Sequence, residues 1–583
     1  MRICPRNFSV TGHSLLSRPA AANSFLLAVA ATCVFITSTM FNGTAAHAQG
    51  KMKPIAVVAL NSVSNLLEDV NFIGSLAGQP RMADQVRPFV GMLQGLNNDQ
   101  PIGLVVQSDG VNHSGAICVP VTDLKMLLGG LGIFGVTSED GANGTIEISA
   151  QGQTLFAREA NGWALVSMMP QMLEGLPENP GQLFGALTKD YDLGVRVHVQ
   201  NIPEAFKQMA ISQLQSGMEA GMQKLDSESD EQFEARQEMT KLQVDQFKQG
   251  AQDLDELTFG IGIDSEKQRT IVDIAYTAIA GSKLAEQIAI NSNPKTDFAG
   301  FFQPDAAMMM SFASRIRDSD VAQMEQMFVA IRKQVTASID EEASSASDEE
   351  REIIKSAVED FMQAFKATLQ AGKMDGGAVL NLSPSSLSLV AGGFIGDPAK
   401  VESGIKKLTE LAKKEDPKFP GVNWNASSHR DVQFHTLNIP IPADEDEPTA
   451  RRLFGDTIDV AIGIGQKTAY FALGRDCLEA VKGVMDTSAA SPQKSVPPME
   501  MTFALAQIIS AAATFADEDD RPQLEMIANM LTNEANGRDH VRMVAQPIPN
   551  GARFRIEAEE GVLRAAGMAA MAAQMEAAGA GGF

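Results

Sequence analysis

The sequence predicts an α+β protein in which antiparallel sheets are covered by helical hairpins. Stretches that alternate apolar and polar residues, as a strand with two unlike sides does, are followed by apolar residues three or four positions apart, as in an amphipathic helix. A succession of one strand, two helices, a β-hairpin and a closing helix occurs about four times in the 583 residues. This recurrence predicts an internal duplication into two halves, each with two β-α-α-β-β-α units.

The recurrence divides the chain into a leader, two halves and a tail. We predict a signal peptide at 1–48, an N-terminal α+β half at 49–291, a C-terminal α+β half at 296–575 and a flexible Ala/Gly tail at 576–583. The N-terminal half contains units at about 53–135 and 190–290, with a β-rich insert at 143–176. The C-terminal half contains units at about 304–414 and 498–574, with a β-rich insert at 422–487.

The first unit shows its elements in order. Its predicted elements are a strand at Pro54–Asn61, helical stretches at Val63–Ala77 and on to about Leu96, paired strands at Ile102–Gln107 and Ser114–Pro120, and a helix at Thr122–Leu131. Asp109-Gly110 between the paired strands is a typical turn sequence. This unit is therefore predicted as a strand, a helical hairpin, a β-hairpin and a closing helix.

The second unit gives the clearest strand-to-helix transition. In Leu193–Val199 apolar residues alternate with glycine, arginine and histidine, which predicts one buried and one solvent-facing side. Asn201 and Pro203 then provide a capping side chain and a first-turn proline for the helix that follows. We expect Arg196 and His198 on the wet side to meet water or carboxylates of a neighbouring strand.

The third and fourth units repeat the pattern with their own turn signals. In the strand Ala306–Ile316 we expect Met308, Met310 and Phe312 to form the buried set. Acidic runs fall between the two helices of three units, at Asp226–Glu231, Asp340–Glu350 and Asp517–Asp520. Since these runs have no D-x-D-x-D-G spacing, we interpret them as solvated hairpin tips rather than calcium loops.

The first 48 residues predict export. Basic residues without acids precede an apolar run at Phe25–Phe41, and Ala46-His47-Ala48 gives the small-x-small pattern of a cleavage site. We expect a periplasmic, extracellular or cell-surface protein, cleaved after Ala48, with no integral membrane span in the mature chain. An uncleaved membrane anchor is the alternative, but the apolar run is shorter than a typical span and is interrupted by threonine and serine, which favours cleavage.

Charge and cysteine usage limit the possible partners. The formal net charge of −25 repels nucleic acid and anionic lipid head groups, so we expect neither as a partner. Beyond the leader, the cysteines are Cys118 and Cys477, and we expect two buried thiols. A single long-range disulfide remains open as the alternative.

Catalytic and cofactor signatures are absent from the sequence. G-x-S-x-G, G-x-x-x-x-G-K-[ST] and H-E-x-x-H do not occur, and we predict no catalytic, cofactor-binding or metal-ligating residue and no cofactor. Isolated fragments are Gly260-Ile261-Gly262, Gly463-Ile464-Gly465, Ser403 with Lys406, and His429 and His435 flanking Asp431. We interpret the glycine fragments as sites of close approach within strands, and the histidines as strand surface.

Methionines suggest one further possibility. Met308-Met309-Met310, Met168-Met169, Met172, Met218 and Met222 could line an adaptable apolar groove for a lipid or peptide. The alternative is that they fill the cores between helices and sheets.

The leader, the opening IAVVALNSVSNLLEDVNFIGSLAG and the strand-to-helix entry VRVHVQNIPEAFKQM together resemble a group of exported bacterial proteins of unknown function. The resemblance covers most of the mature chain and implies an envelope location without implying site residues. We expect a non-enzymatic binding or envelope-associated scaffold protein, with a partner that is an unidentified protein or apolar ligand. The alternatives are a carrier of an apolar ligand in a methionine-lined groove, and an enzyme whose site is assembled from scattered residues.

Overall fold

The computed structural model describes residues 51–76, 80–150, 152–220, 224, 230–342, 346–441 and 447–569. The predicted signal peptide and the predicted Ala/Gly tail lie outside these residues. In the described part of the chain, no helix combines the length and the apolar character that crossing a bilayer requires.

Twenty-two strands are formed. They are β1 (Lys53–Leu60), β2 (Ile102–Ser108), β3 (His113–Pro120), β4 (Thr137–Asp140), β5 (Ile146–Ala150), β6 (Gln153–Ala160), β7 (Trp163–Ser167), β8 (Leu193–His198), β9 (Leu254–Asp264), β10 (Arg269–Ala278), β11 (Lys295–Thr296), β12 (Met308–Arg315), β13 (Lys373–Ser383), β14 (Ser386–Phe394), β15 (Asn423–His429), β16 (Val432–Pro440), β17 (Thr457–Ile464), β18 (Thr468–Gly474), β19 (Lys494–Ser495), β20 (Met499–Ala504), β21 (His540–Ile548) and β22 (Gly551–Glu559) within the described ranges.

The helices lie between these strands in every predicted unit. They are α1 (Val63–Leu76), α2 (Arg87–Met92), α3 (Leu124–Leu131), α4 (Gly181–Thr188), α5 (Glu204–Ala220), α6 (Asp230–Asp253), α7 (Lys283–Ile290), α8 (Asp318–Glu342), α9 (Asp348–Gln370), α10 (Pro398–Glu415), α11 (Glu447–Phe454), α12 (Cys477–Ala490), α13 (Leu505–Phe515) and α14 (Arg521–Asn533). Residues 560–569 are also helical.

Twenty of the strands form one sheet in which every neighbouring pair is antiparallel. From edge to edge the order is β4-β5-β6-β7-β3-β2-β1-β8-β9-β10-β22-β21-β20-β12-β13-β14-β18-β17-β16-β15. The structure thus confirms the α+β class with antiparallel pairing, and it gathers the predicted sheets into one. The pairing of β10 with β22 continues this sheet across the predicted boundary at 291–296.

Helices and loops pack closely on one side of the sheet, here called the covered face. Helix α4 packs against β1 and β8, and α12 packs against β14, β17 and β18. Large rings from these regions lie over glycines on the strands, so that an added Cβ at Gly103 would overlap Phe184 and one at Gly260 would overlap Tyr191. Glycine is required at these positions because any side chain would occupy the volume of the ring.

On β12 the packing reverses the buried side and the solvent-facing side that the alternation of residues had predicted. On β12 the buried side chains include Met309 and Ser311, whereas Met308, Met310 and Phe312 are only half-buried, so the predicted buried set is wrong. The reason is physical: alternation distinguishes two sides of a strand without stating which side meets a layer of helices. Here the small and polar side is covered.

Candidate apolar binding surface

The side opposite the covered face, here called the apolar face, carries long rows of directly opposed apolar residues. Residues paired in register across neighbouring strands point to the same side of a sheet. The first row crosses ten strands and consists of Ile117, Leu104, Val58, Val195, Phe259, Ile274, Phe554, Ala545, Met499 and Phe312. Each member is apolar, so the row is unbroken from β3 to β12.

A second row runs beside the first. It consists of Leu60, Leu193, Ile261, Val272, Ile556, Met543, Met501, Met310, Ala378, Ala391, Phe471 and Ile462, on twelve neighbouring strands from β1 to β17. At a spacing of about 4.8 Å between strands, such a row is roughly 50 Å long. The two rows together form a broad surface with no polar side chain among their members.

These rows are accessible although they lie in the interior of the sheet. Ile274 on β10 is 43% exposed and Ile117 on β3 is 50% exposed. Phe471 on β18 is also exposed, and most other members of the rows are half-buried. A contiguous exposed apolar patch of this extent on a protein marks an interaction site.

Helices stand near the apolar face without sealing it. Phe206 on α5 meets the ring of His113 edge-on at a centroid distance of 5.5 Å, at the β3 end of the face. Helix α7 contacts β10 and β22. Helices α6 and α8 pack against each other, and Lys333 Nζ lies 3.2 Å from Glu238 Oε2 between them. The residues of the rows nevertheless keep the exposure given above.

The covered face carries charged groups at the position where the two predicted halves meet. Asp273 on β10 is fully buried, and Arg555 on β22 donates to it through Nε at 2.8 Å and through Nη2 at 2.7 Å. The hydroxyl of Tyr191 donates to Asp273 Oδ2 at 2.9 Å. Since a buried carboxylate is stable only when it is paired, this two-point contact stabilises the pairing of β10 with β22.

The ion pairs extend over the neighbouring strands of the covered face. Glu557 lies 3.2 Å from Arg269 and 3.5 Å from Arg542, and Arg542 lies 2.8 Å from Glu500. Burial lowers the pKa of Arg542, whereas the carboxylates of Glu500 and Glu557 raise it. Together these effects raise the pKa above its usual value. Arginines and carboxylates are therefore balanced here, which is typical of a structural ladder rather than of a site that attracts one sign of charge.

The predicted polar candidates do not converge on a reaction centre. His429 Nε2 lies 2.8 Å from Asp486, whereas His435 is buried and its Nδ1 accepts a hydrogen bond from the Asn425 N–H at 3.0 Å. Burial lowers the pKa of His435, which favours the neutral ring. Asp431 lies in the turn between β15 and β16.

The serine-lysine pair is also separated. Ser403 donates to Asp360 Oδ2 at 2.7 Å, while Lys406 bonds to Glu402 Oε1 at 2.6 Å. Each side chain thus has its own carboxylate, and Lys406 is not hydrogen-bonded to the hydroxyl as a base would be.

On β8 the predicted sides are also reversed, because Leu193 and Val195 belong to the apolar rows, whereas Arg196 and His198 lie on the covered face. His198 Nδ1 lies 2.9 Å from Glu256 and Arg196 Nε lies 3.7 Å from the same carboxylate on the next strand. The prediction that a neighbouring strand's carboxylate would meet Arg196 and His198 is confirmed.

The predicted methionine groove is only partly assembled. Met308 and Met310 lie on the apolar face, but Met309 and Met172 are buried elsewhere, and Met168 is exposed. The side chain of Met218 and all of Met222 lie outside the described residues. The structure instead adds Met499, Met501 and Met543, whose registers place them beside Met310. The sequence could not predict this cluster, because Met310 and Met501 are brought together by strands that are more than 100 residues apart in the chain.

Cysteines and acidic runs have structural environments. Cys118 and Cys477 are free and buried, and burial raises their thiol pKa values to about 12 and about 11. The run Asp517–Asp520 lies between α13 and α14, and the run Asp340–Glu350 spans the end of α8 and the start of α9, with 343–345 outside the description. Within the described ranges, no group of three or more potential metal ligands is found.

Cavities elsewhere are polar. One of about 550 Å³ lies between α13 and α14 and contains Arg452, Arg521 and Glu525, and another of about 320 Å³ lies before β8 and contains Asp190 and Asp192. Neither is lined by methionine. The apolar face therefore remains as the candidate surface for an apolar ligand.

No family model, curated protein or solved structure matches this chain.

Proposed function

We propose that this protein is an exported, non-enzymatic carrier that binds hydrocarbon chains on its apolar face. The observation that carries the proposal is the pair of unbroken apolar rows, exposed in the interior of a sheet whose other face is packed. Removing such a surface from water is favourable by about 25 cal/mol per Å² of apolar area. The fold exposes the surface, and a ligand would cover it.

The chemistry of the rows selects the ligand class. Their side chains offer no hydrogen bond, so a sugar, nucleotide or peptide backbone would lose its bonds to water without replacement. The strands that bear the rows are paired on both sides, which leaves no edge to which a peptide could add as a strand. The net charge of −25 disfavours anionic head groups. We therefore propose an acyl chain with a neutral or zwitterionic head group.

We also propose that the chain arose by internal duplication. Outward from the β10–β22 pair, both directions give three strands of one unit and three strands of another; then follow three insert strands and β4 on one side, and four insert strands on the other. Asp273 and Arg555 are the middle pair of that junction. In a symmetric dimer this position would face its own copy, whereas a fused chain can place opposite charges there.

Export to the periplasm or cell surface is part of the proposal. The basic leader, its apolar run and Ala46-His47-Ala48 support it, as does the resemblance to exported bacterial proteins. A scaffold that binds a protein partner through the same face is the second candidate, because its breadth also suits a large partner.

The experiment measures binding of N-phenyl-1-naphthylamine, a neutral apolar fluorophore, to the purified mature protein. Ile274→Lys places an ammonium group in the middle of the first row. We expect its affinity for the probe to fall at least tenfold, because the probe would then cover a charge.

Ile133→Lys is the matched control, since Ile133 is exposed on a one-turn helix outside the sheet. We expect probe affinity within twofold of the unmodified protein. The carrier proposal fails if the unmodified protein does not bind the probe, or if Ile274→Lys binds it equally well. Capture of a stoichiometric protein with no extractable lipid would favour the scaffold instead.

A further inference from the structure

Two carboxyl groups meet where helix α1 lies beside the start of β8. Asp69 projects from α1, and Asp192 is the residue immediately before β8. The two carboxyl groups are close enough for a hydrogen bond between them, which is one of the causes that raise the pKa of Asp69. Asp69 is only 9% exposed, and its Oδ2 has no hydrogen-bond partner among the described residues.

The hydrogen bonds locate the proton of this pair. Asp192 accepts from Asn61 Nδ2 at 3.0 Å on one oxygen and from the Ile263 N–H at 2.6 Å on the other. A bond between two carboxyl groups requires one proton, and Asp192 is already an acceptor at both oxygens. Asp69 is therefore the protonated donor. Burial, followed by the charge of Asp192, raises the pKa of Asp69 to about 7.

We propose that the attachment of α1 to the sheet depends on a proton shared by Asp69 and Asp192, so that loss of this proton loosens α1. This regulatory contact is independent of the ligand bound at the apolar face. Asp192 connects three segments of the predicted N-terminal half. It lies directly before β8, and it accepts hydrogen bonds from Asn61, which follows β1, and from Ile263 on β9.

The other charges near Asp69 do not neutralise it. Glu68 is its neighbour on α1 and acts on it as a second negative charge. The turn packed against α1 through the Ala83 N–H to Asn71 contact carries Asp84, which pairs with Arg87. Asp99 accepts from Ser64, and the segment before β8 adds Lys189 and Asp190. In the described part of the chain, Asp69 forms no ion pair with a lysine or arginine.

The direction of the pH effect follows from the thermodynamic linkage between protonation of Asp69 and attachment of α1. When α1 is detached, Asp69 is in water with its ordinary pKa of 3.8, whereas in the attached state the pKa is about 7. The attached state therefore binds the proton more tightly. Attachment is strongest below about pH 4, weakens as pH rises from about 4 to 7, and is constant above that.

Hydrogen–deuterium exchange of peptides from α1 tests this proposal, with rates corrected for the intrinsic pH dependence of amide exchange. In the unmodified protein we expect protection of α1 to fall at least tenfold between pH 5 and pH 7, while protection of α12 stays constant. In Asp69→Asn the amide still donates to Asp192 but cannot ionise. Its α1 protection should therefore be the same at both pH values.

Glu68→Gln is the matched control, because it removes the neighbouring acid and leaves the shared proton. It should retain at least a threefold loss of protection over the same range. A pH-independent α1 in the unmodified protein overturns the proposal, and so does an unchanged pH response in Asp69→Asn. Probe binding is not needed for either outcome, so this test is separate from that of the carrier function.

Discussion

The two faces of the sheet invert the usual division between inside and outside. Antiparallel sheets commonly pack an apolar face against the core and present a polar face to water. Here the packed side contains glycines, a buried aspartate and paired arginines, whereas the accessible side carries the apolar rows. On β10 the two sides alternate within a few residues, with Asp273 buried and Ile274 exposed.

This difference indicates that packing on the covered face stabilises the fold, whereas the proposed ligand would bind to the opposite face. On the covered face, ion pairs join β10 to β22, and aromatic rings pack over glycines within the predicted N-terminal half. The apolar face contributes less to folding than its composition suggests, because its residues remain in contact with water. Substitutions on a single strand can therefore separate the two roles.

The largest effect is expected at the buried ion pair. Asp273→Ala leaves Arg555 and the Tyr191 hydroxyl without their partner, and removing one member of a buried pair costs about 3–5 kcal/mol. We expect the free energy of unfolding in urea to fall by that amount. As a control, Asp140→Ala removes the exposed partner of Lys125 and should change it by less than about 0.5 kcal/mol. A loss below about 1 kcal/mol in Asp273→Ala would show that the junction does not stabilise the fold.

The second prediction compares neighbouring isoleucines of β10. Ile271 is 9% exposed on the covered face, and Ile274 is 43% exposed on the apolar face. We expect Ile271→Ala to cost about 2–5 kcal/mol through loss of packing. Ile274→Ala should cost less than about 1.5 kcal/mol because less apolar area leaves contact with protein. Equal losses in urea unfolding would mean that the apolar face is as tightly packed as the other.

Local signals predicted most individual elements. The predicted strands Ile102–Gln107 and Ser114–Pro120 and the predicted helix Thr122–Leu131 agree with β2, β3 and α3 within a few residues. In the turn between β21 and β22, Asn550 adopts a positive φ of 55°, which asparagine tolerates better than most residues. Periodicity and turn preferences depend on residues that are close together in the sequence, so they can be recognised without knowing the fold.

The sheet order and the binding surface could not be predicted in the same way. Asp273 and Arg555 are 282 residues apart, and nothing local indicates that β10 and β22 pair. The same applies to Met310, which becomes a neighbour of Met501 and Met543 only because β12 of one predicted unit pairs with β20 of another. Gly260 was predicted as a site of close approach, and the ring of Tyr191 lies over it, but alternation alone did not show that this side of the strand is the covered one.

The smallest effect concerns thiol reactivity and tests the comparison without altering stability. Cys118 and Cys477 are buried with raised pKa values, so we expect both to react with a thiol reagent at least about a hundredfold more slowly than a free thiol at pH 8. In Ile274→Cys, one additional thiol should react at nearly the rate of a free thiol, because this position is open to water. Saturation with the neutral apolar fluorophore should slow that reaction, since the ligand would cover the residue. Ile133→Cys serves as the control and should react equally fast with and without the fluorophore. Protection of both engineered thiols would indicate nonspecific association, and protection of neither would place the ligand away from this face.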